Sequence, residues 1–545
     1  MKEKKILALV LVFALAFSTL WGCSDNGGNA DDGAASTQQG NVVSEGTDGV
    51  KIGANDSSNS VSRDVVNVAI AADVGTWDPF NLTTLECRSG VYQGLGYFID
   101  GEYYPCLMKS YTISDDMMSI DCEIFDYIYD SNGAHMTAAD IVWSYEMANA
   151  GTTAGLTDIV ESCEQTGEYT FRFNLRDTLQ IGRIDKMVKW YAVCRESYEA
   201  DPEHMATEPV GTGPYKVTNL TSGYSITLER RDDYWQTDDS QRCFRDAANA
   251  QTVNYYIVSE SAQRAIALQD GTIDMVTSLS AEDLETFRNS KDFWLYSVTA
   301  DKSMDFAPNC DPGSPLSDIN LRLACFYAID PMLIVNSVYS GDAFVNHSMG
   351  PDWSTGYQEQ WTTEDNYYNT CDTDLAKQYL EKSSYSGEKL TIMCTSSTNP
   401  SLAAQVVQLC LEEIGIDSEI KALERNVFQT YQKTPSEWDI CIYETACNTY
   451  WMDAANGQLG TQRTGADYSL NFITDPDLQA MLDYSMSLVN NSDETNAQVH
   501  EYIIENAYWY SMVNYTNYMV VPNWCSRVAL SSAKSLIPGA SEFTE

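Results

Sequence analysis

The chain has 545 residues, 44% of them hydrophobic, enough for large cores and for two to four structural units or one two-lobed body. Its 78 acidic residues against 32 basic ones exclude the basic surface that nucleic-acid binding requires. The same balance disfavours anionic solutes and favours cationic or zwitterionic ones at long range, but screening over about 8 Å leaves solubility as the simpler reading of the charge. The 34 Tyr and 12 Trp belong mostly to cores and strands, with some left to line a cleft for mixed apolar and polar ligands.

Lys2, Lys4 and Lys5 precede an apolar run from Ile6 to Phe17, the pattern of a secretory signal over residues 1–22. Leu20-Trp21-Gly22-Cys23 resembles a bacterial lipobox, although Trp21 is bulkier than the usual residue there. That resemblance implies that Cys23 carries lipid and begins the mature chain. Acyl chains contribute about 0.8 kcal/mol per buried CH₂, so several would hold the protein on a membrane. Residues 24–62 are rich in Gly, Ser, Asn, Asp and Thr and read as a flexible tether. The other fourteen Cys show no C-x-x-C and no Cys/His ligand spacing, which argues against structural zinc and points to mostly buried thiols.

Val66–Ala71 reads as a first strand ending at Gly75-Thr76-Trp77-Asp78-Pro79. Ser119–Tyr129 alternates as a strand, Ser131-Asn132-Gly133 turns, and a helix starts at Thr137. Asp140 sits where it can cap back to Thr137, and Met136 and Ile141 are spaced as a hydrophobic staple. His135, in the turn before that helix, reads as a surface polar group. Pro209-Val210-Gly211-Thr212-Gly213-Pro214 is a specified turn, followed by a hairpin of Tyr215–Val217 and Tyr224–Arg230 and by Tyr234-Trp235. Glu260–Gln269 reads as a helix stopped at Asp270-Gly271, and Thr272–Val276 as a strand. Leu321, Ala324, Cys325 and Ala328 form a buried helical stripe, and Asp330-Pro331 begins a further helix stopped by Gly341. Beyond it come a helix over Asp374–Leu380, a strand over Leu390–Met393, a helix over Leu402–Ile414 and a strand over Ile416–Ile420. Trp438–Tyr443 is a strand, Asp475–Val489 and Asp493–Ala507 are helices, and Trp509–Val513 is a strand. This β-α-β alternation implies an open mixed sheet covered by helices.

Four motifs carry a resemblance. They are P-x-G-T-G-P-Y with its Asp233-Tyr234-Trp235 tail, N-G-x-x-x-T-A-x-D-I-V-W-S from Asn132, E-x-x-x-R-x-x-A-L-x-x-G-x-I-D from Glu260, and N-x-R-x-A-x-x-x-A-I-D from Asn320. In this order over residues 66–520 they resemble bacterial extracellular solute-binding proteins of the peptide/nickel ABC importer type. Val91–Leu95 and Tyr104–Leu107 match two further blocks of that family, a helix and a turn. The resemblance implies an α/β, two-lobed periplasmic-binding-protein-like (flytrap) fold with mixed sheets covered by helices. It implies lobe I from 63–84, 205–300 and 510–545, an extra subdomain over 85–204, and lobe II over 301–509. The expected function is capture of oligopeptides between closing lobes and delivery to ABC permease subunits, by a monomer on the outer face of the cell membrane, or in the periplasm of a host with an outer membrane. Another small solute, such as an oligosaccharide or a nickel complex, and sensing of a peptide signal are the alternatives.

In peptide-binding relatives the strand matching Trp438–Tyr443 leads into Trp-x-x-Asp, whose Asp pairs with the ligand's α-amino group, since a buried ammonium needs a partner. Here those positions fall on Thr445 and Asn448, and Trp451-Met452-Asp453 offers a shifted copy. Trp77, Asn309, Tyr443, Thr445, Asn448, Trp451 and Asp453 are therefore the expected ligand-binding residues, with no catalytic residue, metal or cofactor. The rival class, an exported enzyme, lacks H-E-x-x-H and G-x-S-x-G, and the four His are scattered.

Overall fold

A computed structural model describes residues 42–44 and 60–545, apart from 82–87, 100–101, 152–155, 158, 364–367, 448, 462–463, 465 and 532–534. The signal segment, Cys23, almost all of the tether and Asn448 lie outside the described residues.

The strands that matter here are β1 (Arg63–Ile70), β2 (Met108–Ile113), β3 (Ser119–Ile124), β4 (Val160–Gln165), β5 (Thr170–Leu175), β6 (Tyr215–Thr221), β7 (Ser225–Arg230), β8 (Ala250–Ile257), β9 (Met275–Val276), β10 (Phe293–Pro308), β11 (Ala343–Val345), β12 (Leu390–Thr395), β13 (Ser418–Leu423), β14 (Ile440–Ala446) and β15 (Tyr510–Pro522). The helices that matter here are α1 (Ala138–Ala150), α2 (Arg183–Lys189), α3 (Ser261–Gln269), α4 (Ile319–Ala328), α5 (Pro331–Tyr339), α6 (Thr373–Lys382), α7 (Thr398–Glu413), α8 (Trp451–Leu459), α9 (Pro476–Met486) and α10 (Asp493–Glu505).

One sheet runs β6-β7-β8-β1-β9-β15-β10-β14-β12-β13, with β11 added to β15. Its two longest strands, β10 and β15, are antiparallel and belong to both ends of the sheet. Phe293–Thr299 pairs with Thr516–Pro522, and Ser303–Phe306 pairs with Tyr510–Asn514. The register breaks between Thr299 and Ser303, and again between Met304 and Asp305. Such breaks bend a strand pair and re-aim its side chains. They fall where the apolar core changes: Tyr296 and Val521 pack with Val66 and Val68, whereas Met304, Phe306, Met512 and Val513 pack with Ile392, Ile440 and Ile442.

A separate antiparallel sheet, β2-β3-β5-β4, lies under α1. The α1 start is local chemistry. The Asp140 carboxylate accepts from Thr137 N at 2.7 Å and Thr137 Oγ1 at 2.9 Å, and Met136 and Ile141 are both buried. Asp330 caps α5 by accepting from Met332 N at 2.9 Å, and Ser340 and Gly341 end it with φ of 54° and 92°.

Four expectations need correction. Gln93–Gly94 is a short strand against Tyr191–Ala192 rather than part of a helix, because Leu95 N donates to Val188 O at 2.8 Å and leaves no room for a side chain at Gly94. The strand predicted from Thr272 starts only at Met275, since Thr272 N turns back to the Asp270 carboxylate at 2.9 Å. The strand predicted over Ser119–Tyr129 ends at Ile124, where Phe125 N leaves the ladder for Leu107 O at 3.2 Å. The strand predicted over Trp509–Val513 continues to Pro522, carried by pairing with β10 that no local pattern encodes. Among the described residues no single helix is long and apolar enough to cross a membrane, and no disulfide is formed.

Candidate functional site

The turn that marks the sequence is packing, not a site. Any Cβ at Gly211 or Gly213 would collide with the backbone oxygens of Gly90 and Val91. Arg231 Nη1 donates to Gly213 O at 3.1 Å, Trp235 Nε1 donates to Thr212 O at 3.0 Å, and Tyr215 Oη donates to Ala250 O at 2.7 Å.

Two of the expected residues are also committed to the scaffold. Trp77 is fully buried in the first core, and its carbonyl accepts from Tyr92 Oη at 2.7 Å. Asn309 is fully buried, with its Nδ2 donating to Pro435 O at 2.8 Å and Trp438 O at 2.7 Å.

Tyr443 and Thr445 share one face of β14 with Asp305 and Ser303 of β10, because Asp305 is opposite Tyr443 and Ser303 is opposite Thr445. The face below them is apolar, with Ala307, Cys441 and Trp509 in one core. Towards the register break the face turns polar. Ser303, Asp305, Asn346, Thr445, Ser511 and Asn514 are all buried there. Ser511 Oγ donates to Asp305 Oδ1 at 2.7 Å, and Asn346 Nδ2 donates to Ser511 Oγ at 2.8 Å. Tyr443 is half-buried and its hydroxyl donates to Gln458 Oε1 of α8 at 3.3 Å. Burial raises the Asp305 carboxyl to about 6, against the lowering effect of Thr445, Ser511, Ser303 and Trp509 beside it. No described Lys or Arg pairs with it; Lys302, the nearest in sequence, lies 3.9 Å from Glu444.

Trp451 and Asp453 begin α8. Trp451 is fully buried; its Nε1 donates to Ser348 Oγ at 2.8 Å, and that hydroxyl meets His500 Nδ1 at 3.0 Å. Burial lowers the His500 imidazole to about 3, so it is neutral at physiological pH. Asp453 is only 5% exposed. Its two carboxylate oxygens lie 3.0 and 2.9 Å from Lys186 Nζ of α2. The main chain joins the same two regions, since Ile181 N donates to Met486 O at 2.8 Å and Gln180 bridges Ser487. Asp453 thus holds an ammonium, that of Lys186.

Asp305, Asn346, Ser511 and Asn514 were not singled out from the sequence. The available signal was a carboxylate interrupting the apolar alternation of Met304-Asp305-Phe306-Ala307. Only strand pairing places the others beside it.

Residues 102–467 match the family described as bacterial extracellular solute-binding proteins, family 5. The chain is 21% identical over 452 residues to the oligopeptide-binding protein OppA of Bacillus subtilis, a match covering 78% of each chain. Its fold matches that of NikA from Brucella suis, in complex with Fe(III)-EDTA, with a TM-score of 0.74, 18% identity, and coverage of 88% of this chain and 100% of the other. It also matches the oligopeptide-binding protein AppA from Bacillus subtilis, in complex with a nonapeptide, with a TM-score of 0.69, 18% identity, and coverage of 89% and 100%. These matches bear out the mixed α/β binding-protein fold. The chain belongs to the bacterial extracellular solute-binding proteins of family 5, which bind solutes and catalyse no reaction.

Proposed function

We propose that this chain is the lipid-anchored receptor of an ABC importer and that its solute is an oligopeptide, held between two closing lobes and delivered to the permease. Lobe I is taken as 63–84, 205–300 and 510–545, with 85–204 as its extra subdomain, and lobe II as 301–509. The observation that carries the reading is the pair β10 and β15, two strands that each serve both ends of the sheet and break register between the two cores. A double-strand crossing of that kind allows rigid-body closure, and a ligand favours closure only through contacts made in the closed state.

The α-ammonium of the peptide is assigned to Asp453, with Asn448 as the other position, and Tyr443, Thr445 and Trp451 as neighbouring contacts. Lys186 supports this assignment, because its Nζ already satisfies the Asp453 carboxylate as a ligand ammonium would. Exchange of one ammonium for the other avoids leaving a buried carboxylate unpaired. The peptide-binding relatives support the solute class.

Native mass spectrometry of the full chain, extracted in detergent from cells that make it, tests both parts. The expected result is added peptide mass on the protein and added acyl mass at Cys23, lost in Cys23→Ala. Bound sugar or metal in place of peptide would overturn the solute class, and an unmodified Cys23 would overturn the anchor.

A further inference from the structure

The stretch expected as a plain tether contributes a strand to the main sheet. Val42–Ser44 pairs in parallel with β10, Val42 opposite Leu295, Val43 opposite Tyr296 and Ser44 opposite Ser297. The place it takes is an edge. On one side Phe293–Thr299 of β10 pairs with β15, and on the other side β14 pairs only with Lys302–Pro308. Among the described strands, Val42–Ser44 alone covers that other side of β10 before the register break. Both faces of β10 are packed there. Leu295 sits in a core with Ala69 and Val520, and Tyr296 in a core with Val66 and Val521. Backbone N–H and C=O groups on such an edge need partners, and a further strand supplies them.

Sequence and chain geometry fit this segment to this edge. Val42-Val43 is the one adjacent pair of β-branched aliphatic residues between 24 and 62, set among Gly, Ser, Asn and Asp. Pairing across the sheet puts Val42 level with Leu295, Val520, Val276 and Ala69, and β1 runs in the same direction as Val42–Ser44. Residues 45–62 therefore cross back to Arg63 over four strand spacings and part of the strand length, about 30 Å in all. That stretch spans about 60 Å when extended. It also exceeds the dozen or so residues that a parallel connection needs.

We propose that the edge of β10 at Leu295–Ser297 is a docking surface for the chain's own amino-terminal segment, Val42–Ser44, and that docking sets how far the body stands from the membrane. The second part rests on the lipid-anchor reading. From Cys23 the chain reaches at most about 65 Å to Val42 and about 140 Å to Arg63. Docking thus halves the greatest stand-off and keeps the body near a membrane partner, which raises its effective concentration there.

Hydrogen exchange on the full chain in detergent, read by mass spectrometry, tests the docking. Val42–Ser44 should exchange at least about tenfold more slowly than a synthetic peptide of residues 38–48. Alternate residues of a strand turn their N–H to a given neighbour, so Val43→Pro with Ser44→Pro removes a donor whichever of the two faces β10. In that double variant the edge-facing amides of Leu295–Ser297 should exchange about tenfold faster, while those paired with β15 stay slow. Thermal unfolding shows that the variant is folded. Free-peptide exchange at Val42–Ser44, or no change at Leu295–Ser297 in the variant, overturns the docking. Neutron reflectometry of the cell-extracted chain on a supported bilayer reads the height of the body, which should increase in the variant. Equal height overturns the spacing role. If the chain and its Cys23→Ala variant alike stay off the bilayer, the anchor reading fails, the spacing role falls with it, and the exchange result alone decides the docking.

Discussion

Asp305→Asn should make the protein more stable at neutral pH and leave it unchanged in acid. Asp305 is 1% exposed and has neutral donors around it in place of a cation. Its carboxyl moves from an ordinary 3.8 to about 6, chiefly by burial. That displacement corresponds to about 3 kcal/mol between the protonated and ionised forms. The folded state therefore binds the proton more tightly than the unfolded chain does. The stabilisation is fully present below 3.8 and is lost as pH rises through about 6. The charged and titratable neighbours, Glu444, Lys302 and Tyr339, stay in both proteins and cancel in the comparison. An asparagine can still accept from Ser511 through its oxygen, so the substitution removes charge without removing that bond. Urea unfolding of both proteins at about pH 7.5 should show the variant ahead by up to about 3 kcal/mol, and at about pH 4 the curves should nearly coincide. A variant no more stable at neutral pH, or a difference independent of pH, would refute the reasoning. An ionisable group that costs stability where an amide would not is consistent with a carboxylate kept for binding.

His500 acts in the opposite direction. Burial depresses it from 6.5 to about 3, so the stability it confers is present above 6.5 and is lost as pH falls towards 3. His500→Gln should flatten the decline in stability between about pH 6.5 and pH 4, as read by urea unfolding. Gly213→Ala should destabilise by about 2–4 kcal/mol, because its Cβ meets backbone oxygens that cannot move aside, and a thermal melt reads the loss. Lys186→Met should cost about 1–3 kcal/mol in stability, since it leaves the buried Asp453 carboxylate without its ammonium although Lys186 itself is 42% exposed. The same variant should tighten peptides with a free amino terminus relative to acetylated ones, which calorimetry would show. Asp140→Ala should cost about 1 kcal/mol in chemical denaturation by removing the two bonds that its carboxylate accepts from Thr137 at the start of α1.

The sequence made local chemistry legible and pairing across long separations illegible. Thr137 and Asp140, or Asp330 and Pro331, act within one helical turn, so their spacing alone states the cap. The strand β14 was likewise visible from its apolar run, and Tyr443 and Thr445 could be placed near its end. The fate of Asn309 was not visible, because the carbonyls that consume its amide come from Pro435 and Trp438. Lys186 is similarly far from Asp453 in the chain, and no motif joins them. The role of Asp305 is not legible in the sequence, because a strand's alternation says which face a side chain takes and not whether a cation waits there. The register break that sets Ser511 opposite Asp305 is a property of β10 and β15 together.

The most direct test of the central claim is a thermal-shift titration of the full chain with mixed di- to octapeptides, set beside oligosaccharides and nickel salts. A ligand that binds only the folded state adds about 2.7 kcal/mol at a hundred times its Kd, which is a readable shift. The account predicts a saturable shift with peptides that is weakened by Asp453→Ala. A shift with sugars or nickel alone, and none with peptides, would contradict it.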